Sequence, residues 1–140
     1  MEENQVHIEH TFTQSPEQIF NAWVRPQIIK KWLFKSDKNK IVHVINDPKP
    51  NGAFSILEKT EQGELIDHFG KYYIIQKPWF LSFSLVAPKH FKGVTVVDIT
   101  INPKEDGCQL TFNQTGVDPK IVEDSWKKMF SELDKVVSKS

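Results

Sequence analysis

Two amphipathic stretches bracket this chain, and they limit its fold more than anything between them. Ser15-Pro16-Glu17-Gln18-Ile19-Phe20-Asn21-Ala22-Trp23 stands near the start, and Trp126 to Val137 closes the chain. Ser15 is placed to accept from a free backbone amide, Pro16 suits a first helical position, and Gln18 completes a capping box. Ile19, Phe20, Trp23 and Val24 then form an apolar stripe at helical spacing. Pro26 cuts that helix and starts another, with Ile28, Ile29, Trp32 and Leu33 on one face. At the far end Asp118-Pro119 supplies a cap and a first-turn proline. Val122, Trp126, Met129, Phe130, Leu133, Val136 and Val137 recur at three- and four-residue steps, a stripe of about five turns.

Between these ends the signals are strands and turns. Val6, Ile8, His10 and Phe12 alternate with polar residues, which predicts a half-buried strand before the first helix. Ile41 to Ile45 is a β-branched run closed by the turn-rich Asn46 to Gly52. Ala53 to Lys59 alternates, with Phe54 and Ile56 on one face. Glu64 to Ile75 is long for one strand, and Gly70 marks a bulge or bend in it. Phe80 to Val86 is a further strand. Val94 to Ile101 and Cys108 to Gln114 make a hairpin around Asn102 to Gly107.

The order is therefore β-α-α-β6-α in one domain covering residues 1–140, a length that buries roughly two-thirds of the unfolded chain's surface. Short connections favour an antiparallel meander. The terminal helix is the only element long enough to cover one face of that sheet. The expected fold is α+β, a helix grip in which a curved antiparallel sheet of about seven strands wraps a long C-terminal helix.

Composition excludes several classes of function. Lys plus Arg and Asp plus Glu are equal at 18 each, so no net field draws nucleic acid or anionic lipid. The tract Lys35 to Lys40, interrupted by Asp37, reads as a solvated face. Cys108 is the single cysteine, which suits a reducing compartment. The first residues are polar and acidic, unlike a signal peptide, and no apolar run approaches a membrane span. The expectation is a cytoplasmic protein.

Parity places Ile8, Phe54, Ile56, Tyr72, Leu81, Phe83, Ile99, Leu110 and Phe112 on the inner face of the sheet. Trp23 and Trp32 join them from the helical V, and Trp126, Met129 and Phe130 from the last helix. Apolar walls with a few polar groups are what small-molecule pockets are made of; the plain alternative is a core that these side chains fill. His10, His68 and Gln114 are the polar groups of inward parity, and a histidine there is suited to pH-sensitive hydrogen bonding. His7 and His10 point to opposite faces, and no convergent Cys, His or carboxylate set is visible, so no metal is expected. No cofactor fingerprint, phosphate loop or serine-nucleophile motif occurs.

The segment Phe12 to Trp32 has the form apolar-x-x-small-Pro-Glu-x-Ile-Phe-x-Ala-Trp-x-x-Pro, with Trp32 six residues beyond. Asp47 to Phe54, His68-Phe69-Gly70-Lys71-Tyr72 before Pro78, and Leu110 to Gly116 follow in order. This set resembles the heat-shock-protein-90 ATPase activator homologue-like family of the START and birch-allergen-like superfamily, also called SRPBCC. The resemblance runs from about Val6 to Val137. His10 stands where the family often has Arg, Gln114 where it often has His, and Ile74 where an acidic residue is common.

The resemblance implies a helix-grip fold and a cavity between sheet and helix. The function expected first is binding of a small hydrophobic molecule, without an assigned reaction. Candidate cavity residues are Trp23, Trp32, Phe54, Ile56, His68, Tyr72, Phe83, Ile99, Phe112, Gln114, Trp126 and Phe130, with His10 as a further polar candidate. The Pro48–Gly52 and Pro88–Gly93 loops are candidate gates. The second reading is a protein-interaction module acting on a chaperone-like partner, as the family name suggests. A polyketide cyclase or aromatase in the same cavity is a weaker third.

Overall fold

The computed structural model describes residues 4–88 and 91–138. The chain runs β1 (Gln5–Phe12), α1 (Pro16–Val24), α2 (Pro26–Trp32), β2 (Lys40–Asn46), β3 (Ala53–Lys59), β4 (Leu65–Gln76), β5 (Phe80–Leu85), β6 (Thr95–Lys104), β7 (Gly107–Thr115) and α3 (Pro119–Ser138). The strands form one antiparallel sheet in the order β1-β7-β6-β5-β4-β3-β2. Strands β2 to β7 are thus a meander, and β1 joins it beside β7, where Gly116 N–H donates to the Asn4 carbonyl at 2.8 Å.

Local chemistry places the helices. The capping box forms: Gln18 N–H donates to Ser15 Oγ at 3.2 Å, and Ser15 N–H to Gln18 Oε1 at 3.1 Å. Arg25 ends α1 and begins α2 in extended backbone, because Pro26 offers no amide to continue the first helix. The V is tied across its inside by Trp32 Nε1, which donates to the Ala22 carbonyl at 2.9 Å. Helix α3 buries Val122, Trp126, Met129, Phe130, Leu133 and Val137, the expected stripe, against the inner face of the sheet. The helix-grip architecture stands as the sequence predicts.

Two details differ from the sequence reading. The β6–β7 ladder continues to the pair Lys104–Gly107, past Pro103, so the turn is shorter than Asn102 to Gly107. Pairing of β6 with β5 ends at Thr100, so the missing Pro103 N–H costs no ladder bond on that side. The register shift in β4 lies between Tyr72 and Ile74 rather than at Gly70. Gly70 is needed for another reason: a Cβ there would stand 1.8 Å from the Ser84 carbonyl oxygen. In this region β4 passes from β3, paired through Lys71, to β5, paired from Tyr72.

Candidate functional site

The interior between sheet and α3 is almost filled. A void of about 20 Å³ remains, walled by Trp23 and Ile29 from the V, by Leu33 and Phe34 just beyond it, and by Trp126 from α3. The sheet contributes Val44, Asn46, Phe54, Ile56, Tyr72, Phe83 and Leu85. Six of the twelve cavity candidates therefore stand on its wall: Trp23, Phe54, Ile56, Tyr72, Phe83 and Trp126. Trp32, His68, Ile99, Phe112, Gln114 and Phe130 are buried but stand off it.

Trp23 is the hub of the aromatic packing. Its ring meets Trp32 edge-on at 4.8 Å and lies 6.1–6.5 Å from Phe83, Phe112, Trp126 and Phe130. Its Nε1 is buried and donates to no group among the described residues, a state that costs about 1–3 kcal/mol. The other two buried tryptophans differ. Trp32 bonds Ala22, and Trp126 Nε1 donates to Gln114 Oε1 at 2.8 Å. Gln114 Nε2 in turn donates to Thr95 Oγ1 at 3.0 Å, and Thr95 donates to the Leu85 carbonyl at 2.9 Å. Gln114 is thus part of a closed network that anchors α3 to the sheet. On the void's wall the Tyr72 hydroxyl donates to Asn46 Oδ1 at 2.7 Å, and Asn46 Nδ2 donates to the Val24 carbonyl. Burial pushes the Tyr72 hydroxyl pKa far up, and the Asn46 contact offsets part of that.

Beneath the stretch from Leu33 to Asn39 lies a buried glutamate–histidine pair. Glu58 on β3 and His68 on β4 both face inward, with His68 Nε2 and Glu58 Oε1 2.8 Å apart and neither residue exposed. Asn39 Nδ2 donates to Glu58 Oε2 at 2.7 Å and to the Phe34 carbonyl at 2.9 Å. Phe34 covers the pair, its ring stacked on His68 at 4.1 Å and 14°. Its backbone is left-handed, with φ 60°, and its N–H donates to Met129 Sδ at 3.2 Å. For an L-residue that conformation costs about 1–2 kcal/mol, which the packing must outweigh.

Outside Phe34 an open groove of about 560 Å³ runs between Lys35–Asn39 and α3. Asp124, Lys128, Met129 and Glu132 line its helix side, and Glu58 reaches its floor. Phe34 belongs to the walls of both groove and void.

The remaining candidates lie elsewhere. His10 has the expected inward parity but sits between β1 and α3, bonded to Asp134 Oδ2 at 2.8 Å and packed on Phe12 and Phe130. The Pro48–Gly52 loop lines neither space; its Asn51 and Gly52 bond the backbone of Tyr72. In the Pro88–Gly93 loop, Lys89 and His90 lie outside the described residues. Glu58, Phe34, Asn39 and Asn46 were not singled out from sequence. For Glu58 a signal existed, since it is the next position of the parity set by Phe54 and Ile56. Among the described residues no cluster of three or more His, Cys, Asp or Glu is placed to hold a metal ion. No helix there is long and apolar enough to cross a membrane.

A sheet gripping a C-terminal helix, with aromatic packing between them, defines the START-like class. The chain belongs to the family of activator of Hsp90 ATPase homolog 1-like proteins, whose model matches residues 13–138. Solved structures of the same fold include a protein of Chromobacterium violaceum, 19% identical with a TM-score of 0.85, the match covering 96% of each chain. A protein of Nitrosomonas europaea is 16% identical with the same TM-score, over 99% of this chain and 97% of that one. An activator-homologue-like protein of Aeromonas hydrophila is 20% identical with a TM-score of 0.81, over 96% and 92%. At these identities the likeness is one of fold. No curated protein matches the chain.

Proposed function

We propose that this protein binds a small hydrophobic molecule between the sheet and α3, admitted from the groove past Phe34. The observation that carries the reading is the double placement of Phe34. One side chain, on a residue with left-handed backbone, separates a 560 Å³ groove from a void walled by Trp23, Phe54, Phe83 and Trp126. Turning that ring outward joins the two spaces. The small size of the void then describes a closed state, and a ligand takes the room that Phe34 vacates. Chemistry on the ligand is a lesser prospect: Glu58 and His68 converge, but they bond each other beneath Phe34.

Native mass spectrometry of protein isolated from its source cells tests this, together with thermal-shift screening of lipids, flavonoids and polyketides. The expected result is one small organic molecule per chain, or a stabilisation that Phe83→Asp abolishes. A ligand at 100 times its Kd stabilises by about 2.7 kcal/mol, well within detection. A bare protein mass and no shift with any compound overturn the reading.

One observation favours a second reading, a protein-interaction module acting on a chaperone ATPase. Ile45, Ser55, Phe69 and Val86 form one cross-strand row on the outer face of the sheet. Ile45 and Phe69 are 56% and 43% exposed there, apolar surface that a partner can cover. Under this reading the protein raises the ATPase rate of a heat-shock-protein-90 chaperone and Phe69→Ser abolishes the effect. An unchanged rate removes it.

A further inference from the structure

The unpartnered indole of Trp23 says what kind of molecule the interior takes. We infer that the ligand carries a hydrogen-bond acceptor oxygen within its apolar body (a carbonyl, ether or hydroxyl) and that Trp23 Nε1 donates to it. This rests on the interior-binding reading above and makes it chemically specific.

Three tryptophans are buried in this core, and two have acceptors supplied by the fold: the Ala22 carbonyl for Trp32, and Gln114 for Trp126. The second acceptor is itself fixed through Thr95 to the Leu85 carbonyl, so the fold supplies indole partners with some care. Trp23 is 3% exposed, central to the aromatic packing and on the wall of the void, yet its Nε1 has no acceptor among the described residues. The polar side chains sharing that wall are Asn46 and Tyr72, and they bond each other. A phenylalanine at position 23 would fill an apolar wall without leaving a buried donor unmet. A pure hydrocarbon leaves the Trp23 N–H as it is, whereas an acceptor oxygen satisfies it in a site walled mainly by apolar side chains. The wall therefore discriminates between molecules of equal shape by one oxygen atom.

Benzophenone and diphenylmethane are a suitable pair of probes, alike in size and differing in the carbonyl. Both are titrated into isotope-labelled protein while the indole N–H resonances are followed, with Trp23→Phe identifying the Trp23 signal. We expect benzophenone to bind about ten-fold tighter, to move the Trp23 indole proton downfield, and to lose that advantage in Trp23→Phe. If that variant does not fold, through-bond assignment of the wild-type spectrum leaves the comparison of the two probes intact. Equal affinities with an unmoved Trp23 indole overturn the inference while interior binding survives. Binding of neither probe, with no compound of the wider screen bound either, overturns both.

Discussion

Phe34 lies flat on His68, with ring centres 4.1 Å apart and planes 14° apart, and this one contact ties the candidate entrance to the buried Glu58–His68 pair. A ligand that displaces Phe34 uncovers His68 and, behind it, Glu58. The Asn39 amide reinforces the link by bonding both the Phe34 carbonyl and Glu58. Phe34, Asn39, Glu58 and His68 therefore form one connected cluster.

The left-handed backbone of Phe34 gives a sharp mutational signature. Phe34→Ala removes a buried ring and should cost about 3–5 kcal/mol. Phe34→Gly removes more of the side chain, yet it relieves the strain at φ 60°. The glycine variant is expected to be the more stable of the two by about 1 kcal/mol, measured by urea denaturation. Both should take up benzophenone faster than wild type in stopped-flow fluorescence. An alanine variant as stable as the glycine variant would show that the loop relaxes out of its strained form.

The Glu58–His68 pair should behave as a buried pair rather than a surface one, since both side chains are almost wholly buried. Glu58→Ala and His68→Ala each remove one buried hydrogen bond of the remaining partner, at a cost of about 1–3 kcal/mol. The double variant Glu58→Leu with His68→Leu removes both polar groups and should be less destabilised than either single one. Denaturant midpoints of the three proteins decide this. A double variant as weak as the sum of the singles would mean that Asn39 and its neighbours depend on the pair.

Tyr72 supplies a pH dependence whose sign follows from its burial. Desolvation raises its hydroxyl pKa well above the ordinary 10.0, with the Asn46 hydrogen bond acting the other way. The folded state thus prefers the neutral hydroxyl, while the unfolded chain ionises near 10. The contribution to stability is complete below that value and is lost as pH rises toward the folded pKa, at up to about 1.4 kcal/mol per pH unit. Stability measured between about pH 8 and pH 11 should fall in the upper part of that range. Tyr72→Phe should flatten the decline while lowering stability at neutral pH, because it leaves Asn46 Oδ1 without its donor. A slope that the variant retains would assign the effect to another group.

Much of this architecture was legible because periodicity reports which face a residue occupies. The α3 stripe, the capping box at Ser15 and the inward set Phe54, Ile56 and Phe83 all follow from spacing and turn chemistry. Parity does not say where along the inner face a residue sits, so His10 and Phe54 looked equivalent. His10 meets Asp134 beside α3, whereas Phe54 meets Tyr72 and Phe83 at the void. The Phe34 conformation had no local signal, since left-handed backbone is written in Gly or Asn and here tertiary packing imposes it on an aromatic residue. Gly70 was visible as an oddity within a strand, but its cause, the Ser84 carbonyl, belongs to a neighbouring strand.

Gln114 and Trp23 offer the clearest separation of architecture from recognition, because both polar side-chain atoms of Gln114 have a partner within the fold and Trp23 Nε1 has none among the described residues. Gln114→Leu removes the acceptor of Trp126 and the donor to Thr95. Leaving the Trp126 donor buried and unmet should cost about 1–3 kcal/mol. Since Gln114 stands off the void, the affinity for benzophenone should stay within about two-fold of wild type, against the ten-fold expected of one hydrogen bond. Trp23→Phe should show the reverse: it deletes a donor that has no partner, so it costs less stability than Trp32→Phe, which strands the Ala22 carbonyl. Its effect falls on the preference for the ketone over the hydrocarbon. Thermal unfolding and calorimetric titration on the three variants give both readouts. A Gln114→Leu protein that keeps its stability but loses benzophenone would move that residue from the scaffold into the binding wall.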